Sequence, residues 1–393
     1  MFSKQVVLIL VLILAFAVSL PYLRGPLYHF PAQTSFAGPK FLNPYAGLRD
    51  TWQRANLHAH GRAWNGLTNG RQSNEQIVRA YTSFGYTVAG VSNYQRIAAF
   101  GDVPTLPLYE HGCNLGKRHQ LAVGARKVAW FDFPLWQSLS HKQFVIDRVA
   151  NTAELVAIAH PSSREAYSLE DLRQLTGYQL LEVVNGPFRS EEPWDAALSA
   201  GRAVWALGND DTHDLTDPRR TAMAWTMINA PSPSAGDIID ALRAGRAYTV
   251  SRTNDTASAI ETVVGSVTFS NGTLAVSCVG EPSTFVFVGQ NGAIRKTVKD
   301  VTSAAYAFRG EDTYIRTVIQ SPRTAMYLNP VLRYDGGRLP APAATVDIGR
   351  TWLLRGTIAL AGAALFLIYR DRRPPVPASP PLAVLTPANR KTA

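Results

Sequence analysis

Hydrophobic and polar positions divide the chain into three regimes. Residues 6–20 are apolar without a charge, and Pro21, Tyr22 and Leu23 extend that run; residues 352–369 form a second apolar run that contains a single charge, Arg355. A helix of about 18 residues rises about 27 Å, close to the hydrocarbon thickness of a bilayer, so each run predicts a membrane-spanning helix. Small residues such as Gly356, Ala359 and Gly362 suit helix packing in lipid, and Arg355 reaches the end of its span by snorkelling. Ala15-Phe16-Ala17 offers a cleavage site, so the first run is either a retained anchor or an export signal.

Between residues 51 and 252 short β-rich runs alternate with segments of helical character. Strand-like runs end at Asn56-Leu57-His58 and cover residues 86–91, 121–131, 154–159, 180–184, 203–207 and 247–251. Helices are expected over 73–84, 140–151, 168–175, 193–200 and 235–244, two of them opened by the capping patterns Ser73-x-x-Gln76 and Ser168-x-x-Asp171 and three closed by Gly85, Gly201 and Gly245. Such alternation implies parallel strands with crossover helices, in an open sheet or a closed barrel. After Arg252 the helical pattern stops. Residues 258–337 read as short strands between turns such as Ser270-Asn271-Gly272 and Gln290-Asn291-Gly292, a separate antiparallel β domain of small-sandwich type. Residues 24–50 read as a spacer, and 370–393 as a disordered, basic, Pro-rich tail.

Composition changes this picture little. With 393 residues, 46% of them hydrophobic and 17% charged, the chain is globular in the main. A net charge of +10 suggests nucleic acid, but Arg370, Arg372, Arg373, Arg390 and Lys391 fall in the tail, and the body lacks a basic run with interleaved aromatics. Nucleic acid is therefore excluded as the expected partner. Lys4 and the Arg370 to Arg373 cluster mark the cytoplasmic side, which places the folded region outside the cytoplasm, at the cell membrane. Two cysteines, Cys113 and Cys278, are too few for a disulfide framework or a thiolate zinc module.

Candidate chemistry lies just after the strands. In extended backbone His58 and His60 project to one side and can share an ion, although an isolated His-x-His is common. The pair gains weight from its companions: Ser92 and Asn93 after the second strand, Glu110, His160, Asn185, and Asp210, Asp211 and His213 after the run at 203–207. Parallel α/β folds place their sites at this carboxyl edge. Imidazoles and carboxylates without thiolates suit one or two divalent ions, Zn, Mn or Fe, with Glu110 as a bridge. Asp210 is expected to orient His213, and His111 to be an exposed loop histidine.

The order His58-x-His60, Glu110, His160-Pro161, Glu182-Val183-x-Asn185-Gly186 and Gly208-x-Asp210-Asp211-Thr212-His213 resembles the PHP (polymerase and histidinol phosphatase) superfamily of metal-dependent phosphoesterases. Within it, the chain is similar to a membrane-associated or secreted subgroup with a trailing β domain, a likeness shared by Leu242 to Tyr248 and by Tyr327-Leu328-Asn329-Pro330. The resemblance covers residues 52–337 and implies a distorted seven-stranded β/α barrel followed by a small antiparallel β-sandwich-like domain. It implies His58, His60, Glu110, His160, Asp211 and His213 as ligands, with Asp211 and His213 at the catalytic step. Where the family has Thr-Asp-His after the second strand, this chain has Val91-Ser92-Asn93, which removes two ligands and lowers the expected ion count from three to one or two.

An ion between His58, His60 and Asp211 would lower the pKa of a water from about 16 towards 7. Arg62, Arg164 and Arg189 follow strand-end motifs and are the expected grip on an anionic small-molecule or envelope substrate. The expected function is a membrane-tethered phosphoesterase. Carboxylic or carbamic ester hydrolysis, and a weakened or inactive relative that binds an envelope component, are the alternatives.

Overall fold

The computed structural model describes residues 4–98, 100, 106–253, 261–339 and 341–371. From residue 372 onward the expected disordered tail lies outside the described residues. Those up to Asp347 form one compact unit. It opens with helix α1 (Lys4–Arg24), an apolar cylinder whose residues 5–16 are exposed along their length.

The body is mixed α/β, and its strands and helices follow in chain order. They are β1 (Gln53–Asn56), α2 (Asn74–Ser83), β2 (Val88–Ala89), β3 (Leu108–His111), β4 (Gln120–Val123), α3 (Leu139–Ala150), β5 (Leu155–Ile158), α4 (Leu169–Gln174), β6 (Leu180–Asn185), α5 (Glu191–Ser199), β7 (Trp205–Asn209), β8 (Ala224–Ile228), α6 (Ala235–Arg243) and β9 (Ala247–Arg252). Both expected capping boxes form: Ser73 accepts from the Gln76 amide and Gln76 returns the bond, and Ser168 and Asp171 do the same. Each such cap is worth about 1 kcal/mol.

One sheet runs β7-β6-β5-β4-β3, and a second contains β9-β8-β1-β2. Strands β5, β6 and β7 are parallel, as their crossover helices require, and they carry the buried runs expected of strands covered on both faces. By contrast β4 runs antiparallel to both of its neighbours, β3 and β5. Between β3 and β4 the connection is the reason: Gly112 to His119 holds no helix, and so short a link returns the chain antiparallel.

The expected closed barrel is replaced by these two open sheets, which among the described residues are joined by no ladder longer than the single bridges Ala59 with Thr212 and Tyr94 with Glu110. Beside the Ala59–Thr212 bridge asparagine side chains take the place of ladder bonds: the Leu57 amide donates to Asn209 Oδ1 at 2.6 Å and the Asp210 amide to Asn56 Oδ1 at 2.9 Å. The Tyr94–Glu110 seam is closed by backbone, with the Gln95 amide on Glu110 O at 2.9 Å and the Glu110 amide on Ser92 O at 3.1 Å. The strand ends therefore splay, and the histidines and carboxylates turn into the gap.

Beyond β9 follow β10 (Val263–Ser270), β11 (Thr273–Val279), β12 (Ser283–Val288), β13 (Ile294–Val301), β14 (Ser303–Ala307), β15 (Tyr314–Gln320) and β16 (Thr324–Leu328). Strand β16 pairs with β9 in register from Tyr248 with Leu328 to Arg252 with Thr324, so β13-β12-β15-β16 extends the second sheet directly. The three-stranded sheet of β10, β11 and β14 packs its Val267, Leu274 and Val276 against Phe285, Phe287 and Ile319 of that extension, a sandwich-like core. Cys113 is exposed and Cys278 buried, and both are free.

Helix α7 (Ile348–Asp371) is a unit by itself. Like the Gln5–Arg24 portion of α1, its Ile348–Arg370 portion is long and apolar enough to cross a membrane.

Candidate metal centre

Seven side chains converge where the seams open: His58 and His60 beyond β1, Glu110 on β3, His119 before β4, His160 beyond β5, and Asp211 and His213 beyond β7. Their ligand-type atoms form four overlapping triplets, His58-His60-Glu110, His58-His160-Asp211, His60-Asp211-His213 and Glu110-His119-His160, each within 4.8 Å. All are buried except His213, whose side chain is 24% exposed towards a cavity.

Local backbone builds this convergence. Asp211 and His160 sit at φ +52° and +30°, left-handed values that cost a non-glycine residue about 1–3 kcal/mol and persist where the surroundings fix them. Asp211 is held by its amide, which donates to His58 O at 2.9 Å, while the His60 amide donates to Thr212 O at 2.8 Å. Gly61 lets the chain pass the start of α2, since a Cβ there would lie 2.1 Å from Asn74 Oδ1.

Glu182, inside β6, orders the cluster. Its Oε1 accepts from His58 Nδ1 and from Asn209 Nδ2, each at 2.8 Å, and its Oε2 accepts from the His160 amide at 2.9 Å and Asn185 Nδ2 at 2.8 Å. With its Nδ1–H committed to Glu182, neutral His58 presents a bare Nε2 lone pair to the centre. That atom lies 3.2 Å from His60 Nε2, 3.2 Å from Asp211 Oδ1 and 3.4 Å from Glu110 Oε1. His60 Nε2 lies 3.0 Å from Glu110 Oε2 and 3.2 Å from Asp211 Oδ1. Despite these approaches, Glu110 Oε2 and Asp211 Oδ1 are buried without a directed hydrogen bond among the described residues.

A divalent ion fits this set. Ligands at about 2.0–2.1 Å from a tetrahedral ion stand about 3.3–3.4 Å apart, close to the spacing here. The electrostatics agree. Burial opposes charge on His58, but Asp211, Glu182 and Glu110 outweigh it and hold the imidazolium well above its usual range. The same balance raises His60 and His160. Glu110 and Asp211 are held low: burial opposes their ionisation, and the neighbouring histidines overcome it. These carboxylates demand positive charge, which protons or a metal can supply. Burial and the neighbouring His60 push His213 down to about 4, leaving it neutral.

The expected ligands His58, His60, Glu110, His160, Asp211 and His213 thus come together. His119 joins them unexpectedly, its Nδ1 2.7 Å from Glu110 Oε1. Ser92 and Asn93 are spent on backbone: Ser92 Oγ accepts from the Ala59 amide at 3.2 Å and Asn93 from Gly61. His111 is not an exposed loop residue. It is buried, with Nδ1 2.9 Å from Gln120 Oε1 and Nε2 3.1 Å from Phe131 O, because β3 and β4 form a hairpin over it. Asp210 does not orient His213; its carboxylate accepts from Tyr81 Oη at 2.7 Å and from the amides of Ala222, Met223 and Ala224, each at 2.8 Å.

Of the three expected arginines, Arg164 lines the cavity of about 320 Å³ in front of the cluster. Arg62 is exposed in a turn beside Gly66, outside the residues that line the cavity, and Arg189 binds Gly186 O, Phe188 O and Ser251 Oγ. Lys117 and Arg220 stand beside Arg164 instead, Arg220 Nη1 lying 3.8 Å from Asp211 Oδ2.

No family model matches the chain, and no curated protein matches it in sequence. Among solved structures, a two-domain protein from Bacteroides vulgatus containing a predicted PHP-like metal-dependent phosphoesterase is similar at 14% identity and a TM-score of 0.40, over 74% of this chain and 94% of that one.

Proposed function

We propose that this chain is a PHP-like metal-dependent phosphoesterase, held at a membrane with its folded region outside the cytoplasm. The observation that carries the reading is the buried, lone-pair-rich cluster around His58, His60, Glu110 and Asp211, whose Glu110 Oε2 and Asp211 Oδ1 receive no directed hydrogen bond among the described residues.

His58, His60, Glu110, His119, His160, Asp211 and His213 would hold one or two divalent ions. When bound, such an ion supplies Lewis acidity and lowers the pKa of water. Glu182 fixes the His58 tautomer and the His160 backbone, so both are aligned before any ligand arrives. Arg164, Lys117 and Arg220 make the cavity cationic and hold the phosphate facing the cluster. His213, on the cavity side with Nε2 3.4 Å from Asp211 Oδ1, stays neutral and would complete the ligand set on the face that meets the substrate. The topology rests on the exposed apolar helices α1 and α7 and on the positive charges that flank them.

The test is metal analysis of the purified protein, then hydrolysis of p-nitrophenyl phosphate and p-nitrophenyl acetate with added Mn²⁺ or Zn²⁺. Metal-stimulated phosphate release is expected, and faster acetate release would make it a carboxylic ester hydrolase. Ser92 and Asn93, committed to backbone, favour one other reading, a site that binds an envelope component without turnover. Absence of both metal and stimulated hydrolysis would overturn the phosphoesterase reading.

A further inference from the structure

We infer that the substrate of this site is an amphiphilic phosphoester: a lipid whose phosphate enters the cationic cavity while its hydrocarbon chain lies in an apolar groove leading to α1. This rests on the phosphoesterase reading of the metal centre.

Beside the metal cavity lies a second cavity of about 440 Å³, and Tyr94, Lys117 and His119 form a wall common to both. On the far side of that wall the lining turns apolar, with Leu115, Pro134 and Leu135. The Leu115 amide donates to Pro134 O at 2.9 Å, so the two apolar segments are tied together. Leu115 is nevertheless 75% exposed and Leu135 43%. A water-soluble phosphoester would leave these leucines in water, whereas a hydrocarbon chain would cover them.

The groove ends at the membrane helix. Tyr22, in the last turns of α1, accepts through its hydroxyl from the amides of Leu135 at 2.8 Å and Trp136 at 3.0 Å, and its ring stacks on Trp136 at 4.1 Å. Trp136 is 56% exposed at this junction. An exposed tryptophan at the end of an apolar helix is suited to the headgroup level of a bilayer. A lipid there has its phosphate on the side of Lys117 and Arg164 and its chains on the side of Leu135 and α1.

The experiment uses the full chain in phosphatidylcholine nanodiscs containing dioleoyl phosphatidate, with glycerol 3-phosphate as the soluble comparison and p-nitrophenyl phosphate as the control for turnover. Metal-stimulated phosphate release should favour phosphatidate over glycerol 3-phosphate by at least about tenfold, the contribution of only a few buried methylenes. Leu115→Glu with Leu135→Glu should reduce that preference by a similar factor. A second readout needs no turnover: phosphatidate brominated on its acyl chains should quench tryptophan fluorescence more than equally brominated phosphatidylcholine, and Trp136→Phe should remove the difference. Hydrolysis of p-nitrophenyl phosphate without a phosphatidate preference overturns the inference and spares the phosphoesterase reading. If neither ester is hydrolysed, that reading fails, and quenching alone decides the groove: selective quenching supports it, equal quenching overturns it.

Discussion

Glu182 Oε1 lies 2.8 Å from His58 Nδ1, a bond between residues 124 positions apart that aims the His58 Nε2 lone pair into the cluster. Both Glu182 oxygens accept two donors, so Glu182→Gln would place an amide NH₂ against groups that themselves donate. Metal affinity should fall by about 10–100-fold. Competition with a chromophoric chelator measures this, and an unchanged affinity would refute the orienting role.

His58→Ala should lower bound metal as well as activity. Elemental analysis separates the cases, because lost activity at full occupancy would mean that His58 is not a ligand. Chelation of the wild-type protein should also lower its thermal midpoint. An ion present at about 100 times its dissociation constant contributes about 2.7 kcal/mol. At about 2.1 cal/mol/K of unfolding entropy per residue, a unit that runs to Asp347 shifts by about 1.5 °C per kcal/mol, which is about 4 °C here.

Arg164→Ala should raise KM for p-nitrophenyl phosphate about tenfold or more, the loss of one charge-assisted hydrogen bond of about 1.5–3 kcal/mol. Arg189→Ala should leave KM within about twofold, since Arg189 is bound to Gly186 O, Phe188 O and Ser251 Oγ. Equal effects of the two substitutions would show that the cavity is not where the phosphate sits.

Arg316 is buried and donates two hydrogen bonds to Asp195, 2.7 Å from Nε to Oδ1 and 2.6 Å from Nη2 to Oδ2. Asp195→Ala leaves that guanidinium with the partly exposed Glu191, 3.2 Å from Nη1, in place of its buried partner and should destabilise the fold by up to about 3–5 kcal/mol. Denaturant unfolding measures the loss, and a change below about 1 kcal/mol would show that water reaches Arg316.

His141 stacks on Phe133 at 4.0 Å, and burial pushes it down to about 4. A histidine depressed in the folded state contributes stability that is complete above its ordinary value near 6.5 and is lost as pH falls through 6.5 towards 4. The thermal midpoint should therefore drop between pH 7.5 and 5 more in wild type than in His141→Gln, which keeps an acceptor for the Ser138 amide without a titrating ring. Parallel curves would exclude His141 as a source of acid sensitivity.

Much of the site was legible because its residues follow strands. His58, His60, His160 and Asp211 announce themselves at the ends of apolar runs, and the alternation of strand and helix gave them a common edge. His119 carried no such signal, since it precedes a return strand in a hairpin, where no crossover pattern marks the edge. Glu182 did leave a trace: a carboxylate inside the apolar run Leu181-Glu182-Val183 has to find buried donors. Asp210 and His111 were misread because sequence adjacency says nothing about direction. Asp210 points to the amides of 222–224 and His111 to Phe131, while their neighbours Asp211 and Glu110 face the centre. Barrel closure failed for a related reason, since Asn56 and Asn209, whose side chains replace ladder bonds beside the Ala59–Thr212 bridge, cannot be told from solvent-facing asparagines in sequence.

The pairing of β16 with β9 bears on how the molecule moves. Hydrogen bonds from Tyr248 with Leu328 to Arg252 with Thr324 weld the trailing β strands to the sheet that carries His58 and His60. A hinge between the two halves would have to unzip that ladder. Admission to the site therefore falls to its surface loops, with the sheets acting as a fixed chassis beneath them.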